Sequence, residues 1–110
     1  MPLLVRREDD AVVLEVVDRF DVITAPEIKT ELTNLITDGA RKIVVSLAQV
    51  SFIDSSGLGA LVSVHKDLEE RGGALAIAEP TRQAELVLTI TRLSSVLRVF
   101  SDVDAALKEI

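Results

Sequence analysis

The sequence predicts an α/β fold: a mixed β-sheet of about five strands with about four α-helices packed against it. Two observations lead there. Short β-branched or apolar runs alternate with segments whose apolar residues recur at helical spacing, so the order reads strand, strand, helix, strand, helix, strand, helix, strand, helix. The 110 residues are 48% hydrophobic yet only 3% aromatic, with no Trp or Tyr, so Val, Leu, Ile and Ala must fill the core between layers. Successive strand, helix, strand units force parallel neighbours, and an opening hairpin adds an antiparallel edge. The length suits one domain over residues 1–110.

Taken in order, residues 3–7 and 11–17 read as the two hairpin strands, split by Glu8-Asp9-Asp10. Asp18-Arg19-Phe20-Asp21 is expected to turn, and Thr24-Ala25-Pro26-Glu27 has the form of a capping box with Pro in the first turn. In the helix that follows, Ile28, Leu32, Leu35 and Ile36 form one buried stripe, Lys29, Glu31 and Asn34 face water, and Asp38-Gly39 supplies the stop. Lys42 to Leu47 is a short β-branched run of the kind that fills an interior strand.

The stretch from Val50 to Leu61 joins that strand to a second helix, in which Leu58, Leu61, Val62, His65 and Leu68 recur at helical spacing. This helix is expected to run to about Arg71, where Gly72-Gly73 permits the left-handed conformation that ends helices. Ala74 to Ala78 fits another interior strand, although periodicity alone allows a buried helix equally well. A third helix from about Thr81 to Thr91 would bury Ala84, Val87 and Leu88, and Val96 to Phe100 reads as the last strand. Ser101 is placed to cap a final helix that buries Val103, Ala106, Leu107 and Ile110.

Composition excludes several classes of function. The net charge is −6, and no basic stripe is present to neutralise phosphates, so nucleic acid is not an expected partner. With no cysteine and the single histidine His65, disulfides and thiolate or histidine metal sites are not expected, nor is any cofactor. The start Met1-Pro2-Leu3-Leu4-Val5-Arg6-Arg7-Glu8 lacks the pattern of a targeting segment, and no uncharged stretch approaches the roughly 18 residues of a membrane span. The expected compartment is the cytoplasm, with no membrane association.

The chemistry concentrates in Asp54-Ser55-Ser56-Gly57-Leu58-Gly59. At a helix start the first backbone N–H groups lack partners and the dipole favours negative charge, so Asp54 or Ser55 can cap the helix while Ser56 sits exposed in its first turn. Gly57 and Gly59 remove side chains beside that hydroxyl. A nucleophilic Ser56 would need a base, and His65 lies nine residues along the same helix, about 13 Å of rise and close to half a turn out of phase. No hydrolase elbow, Walker A loop or dinucleotide fingerprint is present, so an enzyme is not expected. The ordinary reading of Asp54-Ser55-Ser56 is a helix cap. The functional one is a phosphoacceptor, because free N–H groups tolerate phosphate while a docked partner would not tolerate about two added negative charges.

Phe52-Ile53-Asp54-Ser55-Ser56-Gly57-Leu58-Gly59 resembles the signature of STAS domains of the bacterial anti-sigma factor antagonist type. The resemblance extends over nearly the whole chain: Asp21 with Thr24-Ala25-Pro26-Glu27 is similar to the family's start of the first helix, Gly72-Gly73-Ala74-Leu75 to its entry into the next strand, and Leu93 to Phe100 with Ala105-Ala106-Leu107 to its C-terminal pattern. It implies a STAS-like sheet and a partner switch. The unphosphorylated protein would bind an anti-sigma factor that is itself a serine kinase, and so release a sigma factor. Phosphorylation of Ser56 would end that binding, and a metal-dependent serine phosphatase would restore it, with ATP and magnesium belonging to the kinase. Carried over residue by residue, Ser56 is the phosphoacceptor, and Asp21, Thr24, Asp54, Ser55, Gly57 and Leu58 belong with it to the partner-binding face. A protein of this kind is expected to be a monomer or weak dimer.

The same resemblance covers STAS subunits of lipid-transport or stressosome-like complexes, which bind partners without controlling a sigma factor; Ser56 favours the sigma-factor branch. One position departs from the pattern. Where the family usually has glycine, this chain has Asp18, so either the turn differs or Asp18 takes the left-handed backbone that aspartate adopts more readily than most residues.

Overall fold

A computed structural model describes residues 3–110. Met1 and Pro2, which open the stretch read as lacking a targeting segment, lie outside the described residues. The elements are β1 (Leu3–Glu8), β2 (Ala11–Phe20), α1 (Ala25–Thr37), β3 (Lys42–Ile53), α2 (Ser55–Glu70), β4 (Ala74–Ala78), α3 (Arg82–Ile90), a short 3-10 turn at Leu93–Ser95, β5 (Arg98–Phe100) and α4 (Val103–Glu109). The strands form one sheet in the order β1-β2-β3-β4-β5. β1 runs antiparallel to β2 and every later pair is parallel, as the chain order requires.

Each face of the sheet has its own core. On one, Leu14, Val16, Phe20, Val45 and Leu47 pack with Ile28, Leu32 and Ile36 of α1 and Leu58, Leu61 and Leu68 of α2, joined by Ala84 and Leu88 of α3. On the other, Val13, Val44, Ala76 and Ala78 pack with Val103 and Ala106 of α4. A sheet covered on both faces explains why β4 is apolar throughout and shows no alternation.

The structure corrects five local expectations. β3 does not stop at Leu47 but continues to Ile53, and β2 does not turn at Asp18 but continues to Phe20, because the two strands stay paired to the register Phe20 opposite Ile53. This outer part of the ribbon is half-solvated, so Ala48, Gln49 and Ser51 are exposed and the segment looks like a loop in sequence. Two irregularities in the pairing, between Glu15 and Val17 and between Asp18 and Arg19, let the ribbon twist there. Asp18 sits in the second with φ +69°, the left-handed alternative.

Thr24 stands at the α1 start without any capping bond from its side chain, so the capping box does not form. Its hydroxyl donates to Arg19 O at 2.8 Å and accepts from Asp21 N–H at 3.0 Å instead. The last strand is shorter than expected, beginning at Arg98 after the 3-10 turn. Ser101 does not cap α4; Asp102 does, its carboxylate accepting from Ala105 N–H at 2.7 Å. A carboxylate in that position gains from both the orphan N–H and the dipole, which favours it over the hydroxyl one residue earlier.

Candidate functional site

The C-terminal ends of β2 and β3 deliver two short loops side by side, one entering α1 and one entering α2. This is the edge at which parallel sheets place their functional groups. Between Asp54 and Ser55 as candidate caps, Asp54 is the residue used: its Oδ1 accepts from Ser56 N–H at 2.8 Å and from Gly57 N–H at 3.1 Å. Ser55 is therefore free of capping duty and exposed, while Ser56 is half-buried.

Gly57 is needed for close approach. A Cβ there would lie 2.5 Å from Phe20 O and 2.8 Å from Ile53 Cγ1, so only glycine lets the first turn of α2 settle against the end of β2. Gly59 is different, with open space where its side chain would be. Leu58 is 1% exposed and faces the core. Gly57 and Leu58 thus lie beneath the surface that Ser55, Ser56 and Gly59 present, and shape it from below.

The neighbouring loop is organised by Asp21, which is only 8% exposed. One carboxylate oxygen accepts from Arg19 Nε at 2.7 Å, and the other from the N–H groups of Ile23 at 3.0 Å and Thr24 at 3.3 Å. The Arg19 guanidinium beside it, helped by the two N–H groups and opposed by desolvation, holds the Asp21 carboxyl below the usual carboxylate range. Arg19 also lies over the Phe52 ring, 4.7 Å from its centroid. Asp21 is thus a loop organiser with little surface of its own, and Thr24 is half-buried next to it.

Between the two loops lies an open groove of about 380 Å³ lined by Val22, Ala25, Pro26, Lys29, Ser56, Gly59 and Ala60. Val22 and Ile23 stand beside it 66% and 81% exposed. The structure therefore brings Asp21, Thr24, Asp54, Ser55 and Ser56 to one edge, and adds residues that the sequence reading left aside. Lys29 passes as an ordinary solvent-facing residue in sequence; its signal is the three-residue spacing from Pro26, which puts both on one face at the start of α1. Gln83 had no local signal, because its partner Ile53 is 30 residues away.

His65 and Ser56 both belong to α2, and the His65 ring pairs with Glu69 at 3.3 Å, one turn further along, rather than with Ser56. Among the described residues no group of three or more His, Cys, Asp or Glu is placed to hold a metal ion. No helix among them is long and apolar enough to cross a membrane.

Comparison with known proteins matches the STAS domain family to residues 3–106. A Staphylococcus aureus anti-sigma-B factor antagonist is 37% identical over 79 residues, covering 72% of this chain and 73% of that protein. A Thermotoga neapolitana protein provisionally described as an anti-sigma factor antagonist is 35% identical over 72 residues; the match spans 66% of this chain but 64% of that relative's length. Among solved structures, the similarly described Thermotoga maritima protein superposes with a TM-score of 0.93 at 27% identity, over 98% of this chain and 93% of its own. The phosphorylated form of the Bacillus cell fate determinant SpoIIAA shares the fold at a TM-score of 0.75 and 20% identity, over 97% of each chain. The chain belongs to the STAS domain family and is related to its anti-sigma factor antagonists.

Proposed function

We propose that residues 1–110 act as one STAS domain in a partner switch, with Ser56 as the phosphoacceptor. Unphosphorylated, the α2 start and the groove beside it bind an anti-sigma factor that is itself a serine kinase, and the sigma factor is released. The kinase then transfers the γ-phosphoryl group of ATP to Ser56 Oγ; ADP leaves and the hydroxyl proton passes to the kinase's base. A metal-dependent serine phosphatase returns the hydroxyl by hydrolysis. ATP and metal belong to those partners, and this chain is the substrate.

The observation that carries the reading is the position of Ser56 in the first turn of α2, its N–H held by Asp54 and its side of the helix opening on the groove with Lys29. A phosphoryl group there adds about two negative charges to a surface whose exposed apolar residues, Val22 and Ile23, suit a dry contact. Charge introduced into such a contact costs more than the contact gains, so binding ends while the fold survives. Relatives named as anti-sigma factor antagonists support this choice over a transport or scaffold role.

Wild type and Ser56→Ala protein, incubated with magnesium-ATP and an extract of the native cells, give the test by intact mass and phosphosite mapping. The expected result is one phosphoryl group at Ser56 in wild type and none in the variant. Label on Ser55, which is the more exposed of the two, or no label in either protein, contradicts the proposal. The isolated Ser56→Ala protein should also retain the anti-sigma factor in the presence of ATP, and Ser56→Asp should lose it.

A further inference from the structure

We propose that Gln83 is the positioning residue of the turn from Asp54 to Gly57, serving as a one-residue stand-in for a missing β-strand. β3 outruns its neighbour: its pairing with β4 ends at Ser46 opposite Ala78, well short of Ile53. Along a strand the N–H and C=O of one residue point to the same side and those of the next residue to the other. Asp54 N–H is directed to β2, where Phe20 O accepts it at 3.3 Å. The polar groups of Ile53 are therefore directed to the β4 side, where no strand remains to pair with them.

The Gln83 carboxamide fills that place. Its Oε1 accepts from Ile53 N–H at 2.9 Å and its Nε2 donates to Ile53 O at 2.8 Å. A carboxamide offers a donor and an acceptor in one plane, the pair that a peptide unit of a neighbouring strand would present. The helix α3 does not need this side chain for itself: Thr81 Oγ1 caps it by accepting from Ala84 N–H at 3.2 Å, and Ala84 and Leu88 fill the core beneath it. The two bonds serve β3. They fix the residue immediately before Asp54, whose carboxylate in turn orients the N–H groups of Ser56 and Gly57.

The consequence for Ser56 modification rests on the reading of Ser56 as the acceptor; the positioning of the turn does not. Amide hydrogen exchange on the full chain separates the two. In Gln83→Met, which keeps length and bulk but neither bond, Ser56 and Gly57 N–H should exchange faster by about tenfold or more, as expected for backbone groups losing their partners next door. Val44 and Val45, deep in β3, should keep their wild-type protection. Gln83→Glu, which keeps the acceptor for Ile53 N–H, should recover part of the effect. Unchanged exchange at Ser56 and Gly57 in Gln83→Met, or equal loss at Val44 and Val45, overturns the proposal. In the cell-extract assay, wild type labelled at Ser56 with Gln83→Met labelled at a clearly lower rate extends the positioning to the reaction. Equal labelling rates would overturn that extension. An unlabelled wild type would count against the acceptor reading alone, leaving exchange to decide Gln83.

Discussion

The Ser51 hydroxyl donates to the Asp18 carboxylate at 2.8 Å, tying β3 to β2 at the point where their pairing shifts register. Asp18 reaches this bond from a backbone with φ +69°, a region that most side chains disfavour. The aspartate thus has two effects of opposite sign, a conformational cost and a cross-strand bond. Asp18→Gly should remove both and change stability by less than about 1 kcal/mol, whereas Asp18→Ala keeps the strain, loses the bond and should cost about 1–2 kcal/mol. Urea unfolding of the two variants beside wild type checks the order; equal losses would mean that strain plays no part.

The two glycines of the motif should respond oppositely to the same substitution. Gly57→Ala places a Cβ against Phe20 O and Ile53 Cγ1 and should cost about 1–3 kcal/mol as backbone and core shift to make room. Gly59→Ala meets nothing within 4 Å and should be neutral or stabilise by up to about 1 kcal/mol through helix propensity. Because Gly59 lines the groove, the same change should weaken partner binding despite its effect on stability. Thermal unfolding and, under the proposed partner switch, binding to the anti-sigma factor measure the two effects separately.

Asp54 is the cap of α2, and Asp54→Ala should lower stability by about 1 kcal/mol, whereas Asp54→Asn should retain most of it because the amide oxygen still accepts from the first turn. Denaturant midpoints of the three proteins, read by circular dichroism, check this.

The depressed Asp21 carboxyl makes a pH prediction of definite sign. Its charged form is favoured by Arg19 in the folded protein and not in the unfolded chain, so its contribution is complete above the ordinary carboxylate range. It is lost as the pH falls through that range towards the lowered folded value. Asp21→Asn should therefore destabilise most near neutrality and progressively less on acidification. Unfolding midpoints of both proteins between neutral and acid pH should converge; a constant offset would remove Arg19 as the cause.

Lys29 and Ser56 line the same groove, so a phosphoryl group on Ser56 would lie beside a cation as well as the start of α2. Its second ionisation should occur at lower pH in the wild-type phosphoprotein than in Lys29→Gln. A phosphorus NMR titration of both decides it, and coincident curves would exclude Lys29 from the site.

Strand and helix identity outside Ala74 to Ala78, the parallel order and the place of the α2 start were legible in the chain, because they depend on periodicity and on short local signals; the apolar run of Ala74 to Ala78 fits a buried helix equally well by periodicity, and pairing with β3 and β5 settles it as β4. The stripe of Ile28, Leu32 and Ile36 marks α1 by its spacing. Asp54-Ser55-Ser56-Gly57 likewise marks its own helix start, since capping is a matter of neighbouring residues. The length of β3 was not legible, because its outer half is stabilised by pairing with β2 while its exposed residues read as loop. Asp18, Thr24 and Gln83 belong to the same class. Asp18 bonds across strands and Gln83 reaches Ile53 from 30 residues away, while the Thr24 hydroxyl is drawn from its capping role to backbone groups of the β2 end. The sequence by itself determined which segments form the sheet and where the Asp54-Ser55-Ser56-Gly57 helix start lies. Only the tertiary structure decided which serine is exposed, which glycine is indispensable and what holds the turn in place, because those depend on groups that approach in space and are distant along the chain.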